Sequence, residues 1–240
     1  MHFVDRGDAP PELIGIEREE RVKWDAYYQG KRKSEPKGRW TEPEIRDILV
    51  AAFQENCGYC GRHETVETRG EVDHYIPKQQ DELAKSLTLT YLWTNFIWSC
   101  HACNTIKQDF YDPLAPILNP CNREDMSALV PDEMGGYQLR KAFRKDPAWV
   151  KRFDNTLDRT LINQKSIKHD RKVLRDRIKS ILGTLEANAI LADMDSECRE
   201  AYARDLKTLK DLTQNHFKLF SKWLLEEMKA PVSAADLGIR

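Results

Sequence analysis

The chain has 240 residues, of which 32% are charged and 40% are hydrophobic, and its formal net charge is −1. This length is sufficient to bury a hydrophobic core, in one large domain or in two small ones. The sequence has no run of about 18 apolar residues, which a transmembrane helix needs. Its first eleven residues are acidic and lack the apolar stretch of a signal peptide. We therefore expect a cytoplasmic protein with no membrane partner.

The net charge alone argues against a nucleic-acid-binding protein, but the charges are unevenly distributed. Residues 140–179 contain fourteen Lys or Arg and five Asp, and a second basic cluster occupies residues 31–39. Such segments are either solvated faces or phosphate-binding surfaces, and both interpretations stay open at this point. The candidate phosphate contacts in the longer segment are Lys168, Arg171, Lys172 and Arg175.

The first 56 residues are predicted to form an N-terminal helical segment. Residues 17–29 have helical character, and the basic cluster that follows them reads as a linker. Thr41 and Glu44 then have the spacing of a capping box, and Pro43 is tolerated in the first turn of a helix. Apolar residues recur at helical spacing behind this cap. We therefore expect a second helix that ends at the first cysteine pair.

The middle segment, residues 57–120, has a mixed pattern. Residues 71–76 are predicted to form a short strand, which Pro77 ends. Residues 87–98 are apolar and aromatic, and a helix is predicted to begin near residue 100. Three prolines at positions 113, 116 and 120 then mark an irregular stretch. We expect the small mixed unit to end there.

The last segment, residues 121–240, is predicted to be a C-terminal helical domain. Apolar residues recur at helical spacing over residues 157–191 and again over residues 197–228. Two long helices joined by a short connection most simply pack as an antiparallel hairpin.

Six cysteines in a cytoplasmic chain indicate metal ligands or buried thiols rather than disulfides. Four of them form two Cys-x-x-Cys pairs, namely Cys57, Cys60, Cys100 and Cys103. Two such pairs suit a tetrahedral Zn²⁺ ion, and four thiolates leave no open position for water, so the site would be structural. The alternatives are four unliganded core cysteines and a redox function. The redox function is disfavoured because both pairs fit one zinc site.

The residues between and around the cysteine pairs carry a second pattern. Asp73-His74 alone is weak evidence of catalysis, because adjacent residues of a strand project to opposite faces. The context is stronger: Asp-His-x-x-Pro, then Asn95, then a second pair that continues as Asn104-x-x-Lys107. In this order and spacing, residues 57–110 resemble the HNH endonucleases of the zinc-containing ββα-metal type. The resemblance implies an α+β fold, with a small zinc-stapled ββα-metal core, N-terminal helices and a larger C-terminal helical part.

The resemblance also implies a role for each matching residue. His74 would be the general base, and Asp73 would bind a catalytic Mg²⁺ or Mn²⁺ ion. Asn95 would brace the loop between the strands and help to orient the histidine. Asn104 stands where the family more often has a histidine ligand, and a neutral amide binds a hard cation more weakly than a carboxylate does. Lys107, one helical turn further, would contact a phosphate.

A finer resemblance concerns the order of the segments. An acidic N-terminal segment, an HNH core, a proline-containing exit and a helical C-terminal half are similar to the PtuB-like HNH components of Septu-type and retron-associated anti-phage systems. This resemblance implies a complex with an ABC-type ATPase. The implied substrate is nucleic acid, with DNA expected first and RNA such as tRNA second.

The competing hypothesis is a non-catalytic zinc-knuckle module that binds nucleic acid or serves as a scaffold for a partner. The presence of Asp73, His74 and Asn104 together argues against it, because a pure binding module does not need all three.

Overall fold

The computed structural model describes residues 1–78, 87–191, 196–215, 217–227 and 230. The helices are α1 (Pro11–Tyr28), α2 (Pro43–Ala52), α3 (Leu87–Thr90), α4 (His101–Lys107), α5 (Arg123–Ser127), α6 (Pro147–Arg159), α7 (Lys165–Leu191), α8 (Ser196–Asn215) and α9 (Lys218–Glu227). The strands are β1 (Gly70–His74), β2 (Phe96–Cys100), β3 (Leu129–Pro131) and β4 (Tyr137–Leu139). The predicted α+β class is confirmed.

Strands β1 and β2 and helix α4 form the ββα unit that the sequence predicts. The strands pair antiparallel, with Gly70 opposite Cys100 and His74 opposite Phe96. Helix α4 follows β2 directly and packs against both strands. A Cβ atom at position 70 would lie 2.0 Å from Cζ2 of Trp98, so β1 must begin with glycine. Strand β1 ends at His74, two residues earlier than expected.

The N-terminal helices share a core with this unit. Trp24 of α1 is fully buried, and its ring centroid lies 5.6 Å from that of Trp40 and 6.3 Å from that of Tyr91. Leu49 of α2 is also fully buried, and α2 packs against β2. One continuous hydrophobic cluster contains buried residues from all three predicted segments. The buried residues of the three predicted segments therefore pack together, and the boundaries near residues 56 and 120 stay predictions.

The C-terminal half is helical, but each of the two predicted long helices is interrupted. The first is divided into α6, which ends at Arg159, and α7, which begins at Lys165. Thr160 marks the break, because its hydroxyl bonds the carbonyl of Thr156 and accepts the amide of Ile162, a local bond that competes with the helix. The second is divided near Phe217, a buried residue with a positive φ of 52°. Helices α7 and α8 pack against each other as the predicted hairpin.

None of the helices in the described ranges is both long enough and apolar enough to cross a membrane.

Candidate nuclease site

The two cysteine pairs meet in the interior. The ligand atoms of Cys57, Cys60, Cys100 and Cys103 all lie within 4.8 Å of one another, and the four residues are buried. The Sγ atoms of Cys60 and Cys100 are 3.9 Å apart. Zn–S bonds of about 2.3 Å in a tetrahedron place two sulfurs about 3.8 Å apart. The four cysteines are therefore arranged as they must be to bind one zinc ion.

Backbone N–H groups support the sulfurs of this cluster. Within the first pair, the amide of Cys60 donates to Sγ of Cys57 at 3.5 Å, and Gly61 turns the chain with a φ of 74°. Within the second pair, the amide of Cys103 donates to Sγ of Cys100 at 3.4 Å, which caps the start of α4. In each Cys-x-x-Cys turn, a backbone N–H group thus holds the first of the two sulfurs.

His74 lies at the end of β1 under an aromatic cover. Its side chain packs edge-on against Trp40, with ring centroids 4.7 Å apart, and against Phe96 at 5.2 Å. Its Nε2 is 2.9 Å from the carbonyl oxygen of Thr90, whose hydroxyl is in turn 2.5 Å from the hydroxyl of Tyr28. The residue is only 6% exposed. The orientation of the ring is therefore fixed by Trp40, by Thr90 of α3 and by Phe96 of β2.

The environment of His74 keeps its imidazole neutral. Burial lowers the pKa of His74 to about 3, and the positive charges of Lys78 and Lys107 act in the same direction, while the Thr90 carbonyl opposes them. A carbonyl oxygen only accepts hydrogen bonds, so we assign the proton to Nε2. The lone pair then belongs to Nδ1. This is the form of histidine that can take a proton from water.

Asn95 joins the segment after β1 to the segment before β2. Its Oδ1 accepts the amide of Ile76 at 2.7 Å, and its Nδ2 donates to the carbonyls of Ile76 and Leu89 at 2.9 and 3.0 Å. The amide of Tyr75 also donates to the carbonyl of Asn95 at 2.8 Å. These bonds tie the backbone that follows His74 to the backbone that precedes β2, and the role of Asn95 in orienting the histidine stays a prediction.

Asp73 points to the opposite face of β1, where it contacts Tyr59 and α4. The hydroxyl of Tyr59 donates to Oδ2 at 2.6 Å, and Nζ of Lys107 donates to Oδ1 at 3.1 Å and to the carbonyl of His74 at 2.7 Å. Burial raises the pKa of Asp73, and Lys107 and Tyr59 oppose the shift. Lys107 is fully buried. The prediction that Lys107 contacts a phosphate is therefore wrong for this structure, because its ammonium group lies in the interior and bonds Asp73.

Glu71 occupies the same face of β1, nearer to the solvent, and is a site residue that the motifs did not predict. Its Oε1 is 2.7 Å from Nδ1 of His101, and its Oε2 accepts Nδ2 of Asn104 at 2.6 Å. The alternation of a strand already places residues 71 and 73 on one face, so the signal was present in the sequence. Trp40 and Thr90 carried no such signal, because their contact with His74 depends on tertiary packing.

The face between β1 and α4 offers oxygen atoms of the kind that Mg²⁺ and Mn²⁺ prefer, namely the carboxylates of Glu71 and Asp73 and the side-chain amide of Asn104. In the structure Asp73 and Asn104 bond different partners rather than each other. Among the described residues, the four cysteines are the one group of three or more Cys, His, Asp or Glu side chains placed to hold a metal. The assignment of a catalytic ion to Asp73 and Asn104 stays a prediction. Their oxygen atoms are of the suitable kind, but both carboxylate oxygens of Asp73 accept from Tyr59 and Lys107 in this structure.

The predicted phosphate contacts of α7 differ in accessibility. Lys168, Lys172 and Arg175 are half-buried, and Lys172 bonds Asp176 at 2.5 Å. Arg171 is fully buried and donates to backbone carbonyls. The prediction of a nucleic-acid contact is therefore wrong for Arg171, because its guanidinium is not accessible to a phosphate.

The fold and the cysteine and Asp-His motifs define the class of this domain. Residues 57–110 match the family model described as HNH endonuclease. The chain is moreover similar to Septu protein PtuB of Bacillus mycoides (strain KBAB4), with 27% identity over 47% of this chain and 46% of the relative. The chain thus spans about half the length of that curated relative. No solved structure matches the chain.

Proposed function

We propose that this chain is an endonuclease that hydrolyses phosphodiester bonds of nucleic acid, with His74 as the general base. The observation that carries the proposal is the neutral imidazole of His74, whose Nε2 is bound to the Thr90 carbonyl at 2.9 Å within an HNH domain. An imidazole fixed through Nε2 has its Nδ1 lone pair available to accept a proton from water, which a general base requires.

In the proposed reaction, Nδ1 of His74 takes a proton from the attacking water while Thr90 and Asn95 hold the ring and the loop behind it. A divalent ion held by Asp73 and Asn104, with Glu71 beside them, would supply Lewis-acid stabilisation of the phosphate and of the departing 3′ oxygen. Lys107 holds Asp73 and the carbonyl of His74 together from the interior. The proposed base and one proposed ligand are thus neighbouring residues at the end of β1 whose side chains lie on its opposite faces.

The test is incubation of the purified chain with plasmid DNA, single-stranded DNA and total RNA, each with Mg²⁺, with Mn²⁺ and with a chelator. We expect cleavage of at least one substrate with a divalent ion, with DNA as the first candidate. Absence of cleavage of all three substrates under every condition would favour the second candidate function below.

The second candidate is a module that binds nucleic acid without cutting it. The observation that favours it is the 6% exposure of His74 under Trp40, which limits access of water and substrate to the base. Binding with no cleavage in either Mg²⁺ or Mn²⁺ would be its signature.

The remaining basic residues of α7 are proposed to contact phosphates. We expect that the triple variant Lys168→Glu, Lys172→Glu and Arg175→Glu lowers the slope of log affinity against log salt by about 3 if each residue neutralises one phosphate. Fluorescence anisotropy with a labelled duplex between low and moderate salt measures this slope. The matched control reverses the same number of charges on α8, at Arg204, Lys207 and Lys210. Equal slopes in both triple variants would show that α7 has no specific contact.

A role in anti-phage defence with an ABC-type ATPase as partner is proposed from the similarity to a Septu protein. The C-terminal helices are the proposed docking surface, because Val173 of α7 is 53% exposed beside a cleft of about 1030 Å³ whose apolar lining includes Leu212 and Phe217. We expect Val173→Glu to reduce co-purification with the neighbouring ATPase at least several-fold. Val22→Glu on α1, where the valine is 77% exposed, is the control. Equal co-purification of both variants would place the docking surface elsewhere.

A further inference from the structure

Arg171 is a buried cation in the middle of α7. It is 0% exposed, and its guanidinium donates to three backbone carbonyls, at 2.9 Å to Gly135, at 3.3 Å to Cys60, and to Ile162. Its carbon Cζ lies 4.7 Å from the ring centroid of Tyr137. Three carbonyls accept from its terminal nitrogens, while its buried Nε has no hydrogen-bond partner among the described residues. Carbonyl dipoles do not neutralise the charge, and a guanidinium removed from water is costly without a negative counterpart. A compensating charge is therefore required nearby.

A buried arginine usually forms an ion pair with a carboxylate. Among the described residues, no carboxylate forms an ion pair with Arg171. Four acidic side chains lie near enough to influence Arg171, namely Tyr137, Cys60, Asp132 and Cys103. The phenol of Tyr137 carries no compensating charge, because burial raises its pKa to about 12. The carboxylate of Asp132 is engaged in its own turn, where it accepts the amides of Met134 and Gly136 at 2.8 Å each. The two cysteines belong to the cluster placed to bind zinc.

Four thiolates with one Zn²⁺ carry two more negative charges than positive ones, and in a buried site this excess is costly in its turn. We infer that Arg171 is the counter-cation of the zinc tetrathiolate and thereby a positioning residue that sets the zinc affinity of the domain. This inference rests on the proposed zinc site, but it does not depend on catalysis. Each of the two buried charges makes the burial of the other favourable.

The segments around Arg171 fix its guanidinium beside the cluster. The loop between α6 and α7 contacts both the cysteine cluster and Arg171. The amide of Leu161 donates to Sγ of Cys103 at 3.4 Å, and the carbonyl of the next residue, Ile162, accepts from Arg171. The turn between β3 and β4 lies against α7, where a Cβ atom on Gly135 would be 2.2 Å from the carbonyl of Lys168. Only glycine permits this approach, which brings the Gly135 carbonyl to Arg171. The position of the cation is thus determined by two loops as well as by α7.

The test compares two substitutions that separate charge from hydrogen bonding. Arg171→Lys keeps the positive charge, and Arg171→Gln keeps donors for the carbonyls but lacks the charge. Zinc affinity of the full chain is measured by competition with a chromogenic chelator. We expect Arg171→Gln to weaken zinc binding about 10- to 100-fold, the usual effect of losing a group that supports metal ligands, and Arg171→Lys to stay within several-fold of the wild type. Arg175→Gln, one turn further along α7 and half-buried, is the control.

A second measurement tests the charge directly. Cys60→His removes one negative charge from the cluster, so Arg171→Gln should cost less zinc affinity in that background than in the wild type. Where a variant refolds poorly, the zinc concentration at the midpoint of refolding replaces the competition assay. Equal losses for Arg171→Lys and Arg171→Gln, or an unchanged loss in the Cys60→His background, would overturn the inference while leaving the nuclease proposal intact. A wild-type chain without zinc would remove the basis of the inference, again without deciding whether the chain cleaves nucleic acid.

Discussion

Replacing His74 with alanine should reduce cleavage at least about 100-fold, the low end of what a positioned general base contributes. Both cysteine pairs and Asp73 remain in this variant, so zinc content should stay at the wild-type level. Because the ring is buried, His74→Asn, which retains a donor for the Thr90 carbonyl, serves as the better-folded companion. Initial rates on plasmid DNA at equal zinc occupancy give the comparison. Wild-type rates in both variants would contradict the assignment of the base.

Rescue by excess metal should distinguish variants that lack a metal ligand from variants that lack the general base. Excess Mn²⁺ should partly restore Asn104→Ala and Glu71→Gln, because weakened coordination can be offset by concentration. It should not restore His74→Asn, because no ion replaces the imidazole as proton acceptor. Rescue of His74→Asn by Mn²⁺ to the wild-type rate would instead make His74 part of a metal site.

The substitution His74→Asn should also change how the stability of the fold depends on pH. The pKa of His74 is lowered from its ordinary value of 6.5 to about 3, so the unfolded chain binds a proton in this range that the folded chain does not. The stability of the folded state should therefore fall as the pH decreases from about 6.5 toward 3, and His74→Asn should fall less steeply. Because the imidazole of His74 stays unprotonated well below pH 6.5, the cleavage rate of the wild type should not fall near pH 6.5 through protonation of this residue. Thermal melting and rate profiles across this range check both statements.

Replacing Cys57 with serine should cause the largest loss of stability, because structural zinc contributes on the order of 10 kcal/mol to the folding of small zinc domains. The cluster is buried in the core that all three segments share, so we expect loss of cooperative unfolding for the whole chain rather than for residues 57–110 alone. Circular dichroism melts and metal analysis measure the effect. Cys121→Ser is the matched control, because that cysteine lies outside the cluster. A zinc-free Cys57→Ser protein that melts like the wild type would exclude the Cys₄ assignment.

The cysteine cluster and the ββα unit could be predicted from the sequence because their information is local. The Cys-x-x-Cys spacing and the Asp-His-x-x-Pro motif are read within short windows, and the ββα unit is what the resemblance of residues 57–110 implies. The residues that enclose His74 could not be predicted, because Trp40 and Thr90 lie 34 and 16 positions away in the sequence and reach it only through tertiary packing. The count of charged residues also led to two wrong predictions. Arg171 and Lys107 were expected on the surface, but both are fully buried and donate hydrogen bonds to groups in the interior. A basic segment does not indicate which of its members face the solvent.

The bond from Arg171 to the carbonyl of Cys60 joins residues 111 positions apart, and the bond from Leu161 to Cys103 joins residues 58 positions apart. During synthesis the four cysteines emerge from the ribosome long before these partners, at about 5 to 20 residues per second. For several seconds, therefore, the nascent chain has all four thiol ligands but has not yet synthesised Leu161 and Arg171. Metal capture can begin in that interval, whereas the tight retention of the ion must wait until the first turns of α7 have emerged.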